Sequence, residues 1–191
     1  MNAPARLRLR PEQYLDWENA QQERHEFVRG EVRAMAGSSL AHAIIAGSLS
    51  FQLRLRLAGG PRQPFQERRI AIPNGNWRYG DVVVDCGPRD MKAMAATTPT
   101  AVFEVESPST AFLEETDRLE DYQSVPSITQ IVILAQDRAR ARIFARASDG
   151  WTHEDVMGLE GALELQALGF SLPLAAVYEG VDLAAAAAAT G

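Results

Sequence analysis

Residues 101–110 read AVFEVESPST. An apolar, β-rich run carries two glutamates, Glu104 and Glu106, and is cut off by Ser-Pro-Ser-Thr. In a strand, residues i and i+2 share a face, so both carboxylates project from one side. Acids held side by side repel unless a cation sits between them or the face is open to water. The strand therefore either holds a cation or ends in solvent, and its neighbours decide between the two.

The strongest neighbour is YGDVVVDC (79–86), whose β-branched valines favour a strand and whose start carries Asp81. If the two strands are adjacent, Asp81 and Glu104 can converge on one hard cation such as magnesium or manganese. Magnesium prefers incomplete oxygen coordination that leaves room for water and phosphate. This geometry requires both carboxylates to leave the same side of the sheet and open into one cleft.

Working outward, PEQYLDWE (11–18) has Pro in the first turn and acids near the start, which predicts a short helix. HEFVRGEVRAMAG alternates around Arg29-Gly30 as a tight hairpin. From Leu40 to Leu57 the spacing turns helical through Leu40, Ile44, Gly47, Phe51 and Leu55, and Gly59-Gly60 stops it. Segment 64–72 reads as a strand and 87–98 as a polar loop. Ser109 or Thr110 can N-cap a helix over 111–123, with Phe112, Leu119 and Tyr122 on one side and Pro126 after its end. ITQIVILAQ and ARIFARA read as strands joined by a turn at Asp137-Arg138, followed by weaker strands near 151–157 and 162–166. With no repeat and no linker, residues 1–191 form a single α/β domain: a mixed sheet flanked by helices, with an Ala-rich tail from about 183.

The bulk numbers narrow the classes. A chain of 191 residues, 46% hydrophobic and 23% charged, is long enough for one sizeable core. Its single cysteine, Cys86, excludes an internal disulfide and a cysteine-based zinc site. No apolar run reaches the roughly 18 residues of a membrane span, so a cytoplasmic protein is expected. The net charge of −6 argues against a general nucleic-acid coating protein but leaves room for an enzyme with a local basic groove. Of 19 basic residues, Lys92 is the one lysine.

RHEFVRGEVRAMAGSSLAH (24–42), YGDVVVDC, FEVESPST (103–110) and DYQSVPS (121–127) stand in this order. Together they resemble the Uma-two family of restriction-endonuclease-like proteins, a branch of the PD-(D/E)xK nuclease superfamily. The likeness runs from about Tyr14 to about Leu134. It implies a restriction-endonuclease-like fold and a Mg2+- or Mn2+-dependent endonuclease acting on DNA. It further implies that Asp81 is the first metal carboxylate and Glu104 the second, with the Val105 carbonyl as a backbone ligand. Glu26, before Glu31, is then the accessory acid, and His42 sits near the site where substrate binds. A homodimer is expected, since paired sites cut both strands and twofold symmetry is commonest; the apolar segment around Phe170–Val177 gives it indirect support as spare apolar surface.

The chain departs from the pattern in one important place. The superfamily lysine, two positions after the glutamate, is Glu106 here, which leaves Glu106 as an extra metal ligand or a sign of drift. In the Uma-two pattern the lysine moves to the next helix, four residues before a tyrosine; here that tyrosine is Tyr122 and the position is Arg118. Arginine keeps the charge and can clamp a phosphate, but it cannot serve as a general base. Arg118 is thus a catalytic and substrate-binding candidate, and its bland alternative is a surface pair with Glu114. The family's proline before the aspartate is Gly80. Two functions compete: the nuclease, and a catalytically silent fold kept as a DNA-binding or protein-binding module. A binding protein unrelated to nucleic acid fits the acidic charge but leaves Asp81 and Glu104 unexplained. A lysine reaching the site would favour the nuclease, and Lys92 is the sole candidate.

Overall fold

The computed structural model describes residues 7–35, 37–88, 90–106 and 112–188, with the backbone alone for 112–114 and 188. Helix α1 (Pro11–Asn19) begins on its proline, where the missing N–H costs nothing. Strands β1 (His25–Val28) and β2 (Glu31–Ala34) form the hairpin, with Arg29 at φ 53° and Gly30 at φ 81°. Two left-handed residues at the tip match the twist of the flanking strands. Helix α2 (Leu40–Arg56) is capped by Ser39, whose Oγ accepts the His42 N–H at 3.1 Å.

Strands β3 (Gln63–Ala71), β4 (Trp77–Asp85) and β5 (Pro99–Glu106) follow, then helix α3 (Phe112–Ser124) and strands β6 (Gln130–Ala135), β7 (Arg140–Ala147) and β8 (Gly150–Met157). The principal sheet runs β2-β1-β4-β5-β6-β7-β8, with β3 also paired to β4. β5 and β6 are parallel because α3 crosses between them; the other described pairs are antiparallel. The mixed sheet flanked by helices is the fold that the strand and helix signals predicted.

Alternation along the strands sorts two cores. Val82, Val84, Phe103 and Val105 pack under α2 with Leu134 and Ile143. Val83, Val102, Ile131 and Ile133 face the other way, with Tyr122 of α3. Strand β6 is buried at every position, as a strand covered on both faces must be.

Two readings need correction. The stripe Leu40, Phe51 and Leu55 on α2 points outward, 78%, 64% and 63% exposed, while Ile45, Leu49 and Leu53 fill the core. Both stripes have helical spacing of three or four residues; the inner one has no glycine and fills the space against the sheet more fully. The segment read as a dimer surface is instead core. Strand β10 (Phe170–Pro173), paired with β9 (Ala162–Leu165), and helix α4 (Leu174–Val177) bury Leu172, Leu174 and Val177 completely. The Ala-rich tail begins as helix α5 (Leu183–Ala188). The expected caps Ser109 and Thr110 lie outside the described residues.

Candidate active site

The site is a seam in the sheet. On the β4 edge away from β3, β1 touches at one register position, Phe27 opposite Trp77, and β5 begins only at Val82 opposite Phe103. Between them β4 has no ladder partner on that edge, and buried backbone groups cannot be left unpaired. Carboxylates take the role. Glu26 of β1 accepts the Tyr79 N–H through Oε1 at 3.3 Å, and Asp81 of β4 accepts the Val105 N–H through Oδ2 at 2.8 Å. In an extended strand the N–H and C=O of one residue face the same edge, so the Val105 carbonyl also faces the seam.

Carrying the β4–β5 register one step past Val82 puts Asp81 across from Glu104. By alternation both belong to the α3 face of the sheet. Glu104 stays on that face: Oε1 accepts the Tyr122 hydroxyl at 2.6 Å, and Oε2 accepts Arg118 Nη1 at 3.1 Å. Asp81 turns its carboxylate into the seam, and His42 Nε2 of α2 lies 3.3 Å from its Oδ1. The single cleft expected of the two acids is therefore divided. Glu104 lines a cavity of about 220 Å3 with Arg118, Leu119 and Tyr122. Asp81 lines a larger one of about 980 Å3 with His42 and Ser39, and Gln136 borders both.

Arg118 reaches the acids. Its Nη2 also donates to Glu26 Oε2 at 3.3 Å, so one guanidinium joins the β1 and β5 carboxylates. The Glu114 side chain lies outside the described residues. Lys92 is exposed in the loop before Pro99 and lines neither the Glu104 cavity nor the Asp81 cavity. Glu106 pairs with Arg142 of β7, which also meets Glu115 at 2.5 Å. It lines the Glu104 cavity but carries its own counter-charge.

The sequence reading missed the next layer. Arg78, 2% exposed, lies between Glu26 at 3.0 Å and Asp121 at 2.7 Å. Asn74 and Asn76 also donate to Asp121. The signal was present as Arg78 two residues before Asp81 and Asp121 beside Tyr122, but only tertiary structure pairs them.

The electrostatics follow from the count. Glu26, Glu104 and Asp121 share two guanidiniums, Arg78 and Arg118, while Asp81 meets His42. Burial pushes Glu104 from its ordinary 4.5 up to about 8; Arg118 and the Tyr122 hydrogen bond pull it down, and Asp81 and Glu26 push it further up. Burial and the Glu104 charge push the Tyr122 hydroxyl well above its usual value, so it stays a donor. Among the described residues no group of three or more His, Cys, Asp or Glu is placed to hold a metal ion by itself. Magnesium does not require one, since it binds through one or two carboxylates with waters and phosphate. Each carboxylate oxygen that accepts one hydrogen bond keeps a second lone pair. The donor chemistry of Asp81, Glu104 and the Val105 carbonyl therefore fits a hard divalent cation.

The family model that matches is Uma2, described as "Putative restriction endonuclease", over residues 11–175. Uncharacterized protein slr1290 of Synechocystis sp. (strain ATCC 27184 / PCC 6803 / Kazusa) is 32% identical over 178 residues, covering 91% of this chain and 93% of its own length. Uncharacterized protein sll1609 of the same organism is 27% identical over 158 residues, 80% of this chain and 89% of its own. The crystal structure of "a putative nuclease belonging to DUF820 from Anabaena variabilis ATCC 29413" shares the fold. Its TM-score is 0.73 at 12% identity, over 89% of this chain and 97% of that one.

Proposed function

Because the chain belongs to the Uma2 family, we propose that it is a metal-dependent endonuclease hydrolysing phosphodiester bonds in DNA, with Asp81 and Glu104 holding Mg2+ or Mn2+. One observation carries the reading: buried Glu104 and half-buried Asp81 stand across from each other on adjacent strands, beside Glu26 and Asp121, so four carboxylates gather around two guanidiniums in an acid-rich seam that suits a divalent cation. When bound, such a cation lowers the pKa of a coordinated water and offsets charge developing on the phosphate.

The chain's own residues do the rest. The Val105 N–H and His42 fix the two oxygens of Asp81. Tyr122 and Arg118 orient Glu104. Arg118 stays charged, since its acid neighbours raise its pKa despite burial, and it offers a phosphate a forked donor in place of the family lysine. Glu26 holds Arg118 and Arg78 rather than the cation, which makes it a positioning residue.

The reading includes action in the cytoplasm as a twofold homodimer, for which the exposed α2 stripe Leu40, Phe51 and Leu55 offers an apolar surface. Light scattering that gives a monomer at micromolar concentration counts against the dimer.

A second reading, a silent fold that binds DNA or protein without cutting, is favoured by one observation: Arg118 bridges Glu104 and Glu26 where the family has a lysine. A plasmid-nicking assay with magnesium separates the two. Nicking by the wild type and none by Asp81→Asn supports the nuclease; a wild type that binds DNA and never nicks supports the silent module.

A further inference from the structure

A third pocket, of about 310 Å3, lies between α2 and β3 and is lined by Arg24, Arg54, Arg68 and Arg69 with one carboxylate, Glu67. That carboxylate is taken by Arg24. The other three guanidiniums find neutral partners or none among the described residues. Arg69 donates to the Tyr79 hydroxyl at 2.8 Å and to Asn19 at 3.2 Å. Arg68 donates to the Ala95 carbonyl at 2.7 Å and lies 5.4 Å from the Phe65 ring centre, with its Nε buried and unpaired. Arg54 is exposed on α2 and makes no ion pair with a described residue. In a chain of net charge −6, this is a local concentration of positive charge in which Arg54, Arg68 and Arg69 make no direct ion pair with a described residue, Glu18 reaching Arg69 only through the Tyr79 hydroxyl.

Its position matters as much as its sign. Arg24 and Glu67 line both this pocket and the large cavity that holds Asp81 and His42, so the two depressions adjoin across that ion pair. We propose that the Arg54–Arg68–Arg69 pocket is a backbone-phosphate subsite that seats the nucleic-acid strand leading into the Asp81 cavity. This rests on the nuclease reading for the identity of the polyanion. Guanidiniums are suited to phosphate oxygens because they present a planar fork of donors. Such contacts position a strand without reading its sequence. The one carboxylate in the pocket is tied to Arg24, which leaves the remaining charge free for the strand.

The test is fluorescence anisotropy of a short labelled DNA duplex with the full-length protein in EDTA, at several salt concentrations, so that no cleavage intervenes. Arg54→Glu and Arg68→Gln are made singly and together, with Arg10→Glu, just before α1, as a control whose charge change equals that of Arg54→Glu. The double variant is expected to bind about tenfold more weakly at low salt. Its slope of log affinity against log salt should fall by about 2, the share of two phosphate contacts. Arg10→Glu should leave the slope unchanged. A double variant with wild-type affinity and slope overturns the subsite, and so does a wild type that binds no duplex. A wild type that shows the expected binding loss in these variants but never nicks a plasmid supports the subsite while defeating the nuclease reading.

Discussion

Arg118 donates to Glu104 at 3.1 Å and to Glu26 at 3.3 Å, so one guanidinium on α3 ties together carboxylates of β1 and β5. It stands at the position where the resemblance expects a lysine, and its role is electrostatic because a guanidinium does not release its proton. Arg118→Ala should lower the nicking rate by about 100-fold or more, the scale seen when a charge-stabilising donor is removed. It should also cost about 1–3 kcal/mol of stability, since buried Glu104 and Glu26 each lose a charged partner. Arg118→Lys keeps the charge but cannot fork, and should retain most activity. Nicking assays and denaturant titrations on the two variants check this; an Arg118→Ala protein as active as the wild type removes Arg118 from the site.

The raised pKa of Glu104 sets a pH dependence with a definite sign. The folded metal-free protein holds this proton up to about 8, above the ordinary 4.5, so it binds more protons than the unfolded chain in between. The contribution is fully present below the unfolded value and is lost as pH rises through about 8. Thermal melts of the metal-free protein should therefore show a component that weakens from about pH 5 to 8 and is absent in Glu104→Gln. A Glu104→Gln protein with the wild-type pH profile contradicts the assignment.

Much of the fold was legible because it rests on local signals. The valines of 82–84, the Gly59-Gly60 stop and the Arg29-Gly30 tip each specify their element within a few residues, and the structure keeps all three. Asp81 and Glu104 were legible as neighbours on adjacent strands because each sits in a strongly β-branched run, although Asp81 lies mid-strand rather than at the strand start expected of it. The network around them was not. Arg78 meets Asp121 across 43 residues and Arg118 meets Glu26 across 92, distances over which no local pattern carries information. The outer stripe of α2 was equally unreadable, because two apolar rows repeat on the same helix and only packing selects one. Phe170–Val177 looked like spare apolar surface because nothing in its sequence announces the β9–β10 hairpin beneath α2.

Tyr122→Phe isolates one contact. It removes a 2.6 Å hydrogen bond to Glu104 and leaves the ring in the core. A bond to a charged group contributes about 1.5–3 kcal/mol. The variant should lose stability on that scale and need more magnesium for half-maximal nicking, because Glu104 is then less well oriented. A variant unchanged in both respects means Tyr122 is core packing alone.

Gly80 precedes Asp81 for a packing reason. A Cβ built there would lie 2.7 Å from Val83 Cγ2 and 3.0 Å from Val102 Cγ1. Gly80→Ala should destabilise by about 1–3 kcal/mol, the usual cost of overpacking a core. Urea unfolding measures it, and an unchanged midpoint with an unchanged slope would show that the valines can move aside.

The central claim is that the acid-rich seam is the seat of a divalent cation shared by Asp81 and Glu104. The most direct measurement is calorimetric titration of Mg2+ or Mn2+ into the metal-free wild type, Asp81→Asn and Glu104→Gln at pH 8. The account predicts one cation per chain for the wild type and loss of that binding in both variants, with each variant still folded. Wild-type protein that takes up no cation, or variants that bind it as tightly as the wild type, would contradict it.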